Sequence, residues 1–140
     1  TTPAIAHSHH GNEAAAKGLL EQAMERVRTD EESGYTITEI ATAYGYINDK
    51  AVVEQALSEL TELAVSDLSP SDPVGPLFAL GAIAATQQQI GNPELSEQAI
   101  QILLDEYGNS IYMLGGILGV YSRMDNVPAQ QATIQQMLDL

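Results

Sequence analysis

Glu21-Gln22-Ala23-Met24, Glu54-Gln55-Ala56-Leu57 and Glu97-Gln98-Ala99-Ile100 are three copies of one phrase: acid, amide, alanine, large apolar residue. The copies begin 33 and then 43 residues apart. Self-similarity at a period of about 33 or 34 residues marks stacked helix–turn–helix units, each too small to bury its apolar face alone. Such arrays generally present binding surfaces rather than active sites.

Working outward, Ile37, Ile40, Ala41, Tyr44 and Ile47 precede the second phrase at the spacing of one helix face. A step of 43 residues reaches Leu80, Ile83, Ala84, Gln87 and Ile90, and a further 34 reaches Leu114, Ile117, Leu118, Tyr121 and Met124. Only Gln87 breaks the apolar pattern. Each stripe runs into a turn signal: Asn48-Asp49, Gly91-Asn92-Pro93, and Asp125-Asn126 with Pro128. Pro93 and Pro128 suit the first turn of a following helix, where a missing N–H costs nothing. Those following helices carry Val53, Ala56, Leu57 and Leu60, then Ala99, Ile100 and Leu103, then Thr133, Ile134, Met137 and Leu140. An opening half-unit from Glu13 to Arg28, with Leu20, Ala23, Met24 and Val27, matches a second helix without its partner. The excess in the middle interval falls on the Pro- and Ser-rich stretch 66–74, read as a longer loop between units. The pattern predicts helices over 13–29, 36–48, 50–66, 75–90, 94–107, 109–124 and 128–139.

On these residues the chain resembles the tetratricopeptide repeat family. The shared features are the 34-residue step, the paired helices, small Ala41 and Ala84 at the close-packing position, and Tyr44 and Tyr121 three residues beyond that position. The family's Ala early in the second helix is replaced by Val53, Ser96 and Gln130, and its Trp is absent. The resemblance implies an all-α, right-handed α-α superhelix of about three and a half hairpins over 13–140, behind a leader of residues 1–12. The alternative is a non-solenoid helical bundle built from duplicated hairpins. In the family's geometry the first helix of each hairpin lines a concave face. The face residues would then be Thr38, Thr42 and Tyr46, next Gly81, Ala85 and Gln89, and last Gly115, Gly119 and Arg123. Small and polar groups ending in Tyr and Arg suit an extended peptide. Arg123 would clamp a carboxylate, or pair internally with Asp105 or Asp125.

The 140 residues are 44% apolar with near-zero mean hydropathy, which is a globular composition. Aromatics make up 5%, with no Trp and one Phe, so Leu, Ile, Val, Ala and Met must fill the core. Nineteen acids against five bases give a net charge of −14, and from Ala51 onward Arg123 is the single base. A field of that sign repels phosphate backbones and anionic membrane surfaces, which argues against nucleic acid and leaves basic proteins, basic segments or cations open as partners. The longest apolar run, Ile111 to Tyr121, is too short to span a bilayer and is broken by glycines. Ala4-Ile5-Ala6 has the small-x-small form of a signal-peptidase site, which keeps both a cytoplasmic and an exported location open.

Chemistry-bearing constellations are sparse. His7, His9 and His10, with Glu13 nearby, are the low-ranking candidates for a metal-binding leader, and no histidine follows them. With no cysteine in the chain, the common nucleophile–base pairs are missing from the body. The carboxylate pairs Glu31-Glu32, Asp105-Glu106 and Glu59 with Glu62 fall on expected polar faces or helix ends. Gly115-Gly116-x-x-Gly119 lacks the lysine of a phosphate loop and is read as a place of close backbone approach, by another helix or an extended ligand. The expectation is a non-catalytic protein-interaction module, scaffold or chaperone, with no cofactor, which binds a partner's peptide or helix. Self-association through the last hairpin is a further expectation, because Met137, Leu138 and Leu140 follow one another so closely there. The rival readings are a helical bundle that binds or converts a small molecule, and an exported protein with a metal-binding His leader.

Overall fold

A computed structural model describes residues 13–29, 33–66, 68 and 72–140, without the side chains of 13 and 33–35. The expectations placed on His7, His9, His10 and Ala4-Ile5-Ala6 lie outside the described residues, as do residues 67 and 69–71 of the 66–74 connection. Seven helices and no strand are present among those described: α1 (Glu13–Thr29), α2 (Ser33–Tyr44), α3 (Lys50–Ser66), α4 (Val74–Gln89), α5 (Pro93–Tyr107), α6 (Ile111–Arg123) and α7 (Val127–Leu138). The chain is all-α.

Two helices match their predicted spans, four differ by one or two residues at one or both ends, and one differs by more. The sequence pattern predicts 36–48, but α2 starts at Ser33 and stops at Tyr44. Its end tightens into three-residue steps, with Gly45 N–H donating to Thr42 O, Tyr46 N–H to Ala43 O and Ile47 N–H to Tyr44 O. Ile47 is still buried, so the apolar stripe continues past the helix that carries most of it. Periodicity reads burial, and here burial outlasts the helix.

The other ends follow their turn chemistry. Ser110 caps α6 by accepting from Met113 N–H, and Asn126 caps α7 by accepting from Ala129 N–H. Pro93 and Pro128 occupy the first turns of α5 and α7. α4 and α6 finish alike: Asn92 N–H donates to Gln87 O at 2.8 Å and Asn126 N–H to Tyr121 O at 3.0 Å. Each closure needs a left-handed residue, Gly91 at φ 91° and Asp125 at φ 54°.

Helices adjacent in the chain pack on each other from α1 to α7, and in addition α2 packs on α4 and α4 on α6. α2 and α4 run the same way, since Thr86 Oγ1 donates to Ala41 O and Gln89 Nε2 to Gly45 O, at 3.2 and 3.1 Å. α4 and α6 also agree in direction, with Leu77 against Gly116 and Gly81 against Val120. α4 is the hub, touched by α2, α3, α5 and α6. It buries Pro76, Ala79, Leu80, Gly81, Ala82, Ile83, Ala84, Thr86 and Gln87. Each fully buried Leu or Ile of this kind contributes roughly 1.5–3 kcal/mol.

The expected stripes are largely buried: Ile37, Ile40, Ala41, Tyr44 and Ile47; Leu80, Ile83, Ala84 and Gln87; Leu114, Ile117 and Tyr121. Ile90, Leu118 and Met124 are half-buried. In the last helix only Thr133 is buried, while Ile134 and Leu140 of the expected core are exposed. No helix among the described residues is long and apolar enough to cross a membrane.

Candidate functional site

The residues expected to line a shared face belong to α2, α4 and α6, except Tyr46, which lies in the turn just past α2, and hydrogen bonds hold those helices edge to edge. Gln89 Nε2 ties the end of α4 to Gly45 O just past α2, and Gln88 Nε2 ties it to Met124 O just past α6, both at 3.1 Å. Thr42, Tyr46, Gln89, Gly115, Gly119 and Arg123 are exposed, and Thr38 and Ala85 are half-buried. Thr42 spends its hydroxyl on Thr38 O at 2.8 Å, so it offers a methyl and a lone pair rather than a free donor. Gln89 is likewise committed through its amide nitrogen.

Gly81 does not belong with them. It is buried, and a Cβ there would lie 2.9 Å from Val120 Cγ2, so this glycine admits α6 rather than lining an open surface. The Gly115-Gly116-x-x-Gly119 motif divides in the same way. A Cβ on Gly116 would collide with Leu77, whereas Gly115 and Gly119 have no atom within 4 Å of the place a Cβ would take. Helix packing therefore accounts for Gly116 and leaves the other two without an internal reason.

Arg123 sits beside this row, its guanidinium 3.7 Å from where a Cβ of Gly81 would be. The expected pairing with Asp105 or Asp125 does not form. The ion pairs Lys17–Asp49, Arg28–Glu25, Arg28–Glu59 and Lys50–Glu54 use bases of α1 and α3, and Arg123 is in none of them. Two aromatic side chains missing from the predicted set share the same faces: Phe78 on α4 is 41% exposed and Tyr112 on α6 is 72% exposed. Their signal was present in the sequence, because they stand 34 residues apart, one helical turn before the positions chosen.

A second depression of about 200 Å³ lies between α1, α3 and the end of α2, with Lys17, Glu21, Arg28, Tyr44 and Glu59 in its wall. Its two cations are both paired. Lys17 Nζ holds Asp49 at 2.8 Å, and Arg28 grips Glu59 with two nitrogens while also reaching Glu25. The Arg28 hydrogen bond keeps the Glu59 carboxyl below its ordinary range, and Lys17 does the same for Asp49. Burial pushes the Tyr44 hydroxyl up to about 12, with Glu21 adding to the shift. Burial likewise raises Tyr121 to about 12, helped by Glu97. Among the described residues no three His, Asp or Glu side chains converge to hold a metal ion.

Comparison of the chain with protein-family models, with curated proteins and with solved structures found no match. The functional reading rests on the geometry above.

Proposed function

We propose that this protein is a non-catalytic interaction module that binds an extended peptide or a helix of a partner protein across α2, α4 and α6. The observation that carries the reading is the pair Gly115 and Gly119, exposed on a helix with open space where their side chains would be. Each glycine costs the helix about 1 kcal/mol against alanine. No atom of the described residues uses the space gained. A partner backbone lying close to α6 would use it, with Phe78 and Tyr112 flanking the contact and Arg123, which is in no ion pair among the described residues, supplying a cation at its end.

In this reading the hairpins stack as in tetratricopeptide arrays, in a right-handed superhelix with α2, α4 and α6 on its inner side. Two things support that arrangement: the packing of α2 on α4 and of α4 on α6, and the common direction within each pair. The net charge of −14 favours basic partners through long-range steering. The depression between α1 and α3 gives a small-molecule site little support, because its volume of about 200 Å³ is below the roughly 300–1,000 Å³ usual for ligand pockets and both its cations are already paired.

The test is selection of binders from a random-peptide display library, followed by titration of the purified peptides against Tyr112→Ala and Arg123→Ala. Loss of affinity of tenfold or more in both variants, with unchanged helicity, is the expected outcome. Peptides that bind both variants as well as the parent chain would overturn the assignment.

A further inference from the structure

We infer that the depression between α1, α3 and the end of α2 receives one alkylammonium group, the lysine side chain of a basic partner segment. Two helix stripes form its walls, with Glu21 and Met24 on α1 facing Val52, Gln55 and Ala56 on α3. α1 and α3 touch each other little. Ion pairs bridge them instead, Lys17 to Asp49 towards one end and Arg28 to Glu59 towards the other. The space between the bridges is left unfilled.

The Tyr44 hydroxyl points to a ligand. Tyr44 is 3% exposed, yet its hydroxyl makes no hydrogen bond among the described residues. No side-chain nitrogen or oxygen among those residues is both fully buried and without a partner. The hydroxyl therefore opens onto space, and the space that Tyr44 lines is this depression. The charges that act on it are Glu21, Arg28 and Glu59, all in the same wall. The side chains of Glu21 and Gln55 are likewise in no ion pair or hydrogen bond among the described residues.

These groups select an ammonium. A lysine head carries three donors and no acceptor. The wall offers the Glu21 carboxylate, the Tyr44 hydroxyl oxygen and the Gln55 amide oxygen as uncommitted acceptors. Met24, Val52 and Ala56 supply apolar surface for the methylene stem. The charge balance agrees. With ion-pair partners counted, Lys17 and Arg28 stand against Glu21, Glu25, Asp49 and Glu59, two positive groups against four negative. Glu21 is the carboxylate left over, and an anion would meet that excess. Size agrees too: a cavity of about 150 Å³ holds benzene, so about 200 Å³ is room for one side chain. The net charge of −14 draws a basic segment towards it. The site is separate from the face of α2, α4 and α6 and does not rest on that reading.

NMR titration of the 140-residue chain tests this with three probes: a short glycine peptide carrying one central lysine, its Nε-acetylated form, and n-butylammonium. The lysine peptide is expected to shift the Tyr44 ring and Gln55 side-chain amide resonances, with a dissociation constant in the millimolar range. Acetylation removes the charge and should abolish the shifts. Glu21→Gln and Tyr44→Phe should each weaken binding roughly fivefold, with circular dichroism unchanged. Glu106→Gln on α5 makes the same charge change away from the depression and should leave the affinity as it is. n-Butylammonium is expected to shift the same resonances. If it binds and the lysine peptide does not, the site takes a free amine and the partner assignment falls. Equal binding of the acetylated peptide, indifference to both wall variants, or no shift from either ammonium probe would overturn the inference.

Discussion

The Tyr121 hydroxyl on α6 donates a 3.3 Å hydrogen bond to the Glu97 carboxylate on α5. Glu97 opens the third copy of the recurrent phrase, and its first-copy counterpart Glu21 lies close enough to Tyr44 to oppose that residue's ionisation. Tyr44 and Tyr121 occupy the same place in their hairpins. In the middle copy Gln87 stands in that place, and Asn92 Nδ2 bridges it to Glu54, at 3.1 and 3.2 Å. The glutamates of the second and third phrases thus reach a buried polar group of the next hairpin, Glu54 through Asn92 and Glu97 directly.

This arrangement has a pH signature. Tyr44 and Tyr121 are raised to about 12, first by burial and then by their glutamates. A raised folded-state value means the protein holds these protons more tightly than the unfolded chain does. The stability so contributed is complete below the ordinary tyrosine value near 10 and is lost as pH rises through about 12. Phenolate absorbance and circular dichroism, followed together in alkali, should show these two tyrosines ionising as the helices melt. Glu97→Gln should move Tyr121 downward but not to the unperturbed value, because burial remains.

The two left-handed helix ends differ in their residue. Gly91 adopts φ 91° without a side chain, whereas Asp125 adopts φ 54° with one. Asp125→Gly should stabilise and Gly91→Ala destabilise the fold, each by about 1 kcal/mol, measured by urea unfolding.

Packing glycines should behave oppositely to exposed ones. Gly81→Ala and Gly116→Ala thrust a methyl against Val120 and Leu77, and each should cost about 1–3 kcal/mol by overpacking. Chemical denaturation of the two single variants provides the measurement.

Net charge should dominate the salt response. The ion pairs of α1 and α3 are partly exposed, and pairs of that kind contribute little. Self-repulsion of a body carrying −14 is the larger effect, so added sodium chloride should raise Tm. A fall in Tm with salt would show that the pairs prevail.

Helix number and order, and the burial of most of the three stripes, were legible in the sequence because one apolar stripe recurs and each copy ends in turn residues, whereas Ile134 and Leu140 of the expected last core are exposed. The end of α2 was not, since Ile47 remains buried after the helix stops. The candidate face was partly legible. Spacing placed Thr42, Tyr46, Gly119 and Arg123 on exposed positions. It could not separate Gly81 and Gly116, which admit a neighbouring helix, from Gly115 and Gly119, which do not. That distinction depends on which helix lies across α6, and no single helix's periodicity encodes it. Phe78 and Tyr112 escaped because apolar aromatics read as core. The role of Glu97 escaped because a glutamate on a helix reads as solvent-facing.

The most direct test is the double variant Gly115→Ala/Gly119→Ala, examined for thermal stability and for affinity toward a display-selected peptide. If these glycines make room for a partner, Tm rises by a few degrees, since each alanine adds about 1 kcal/mol of helix stability, while peptide affinity falls at least tenfold. A rise in Tm with affinity unchanged would contradict the assignment of this face as the binding surface.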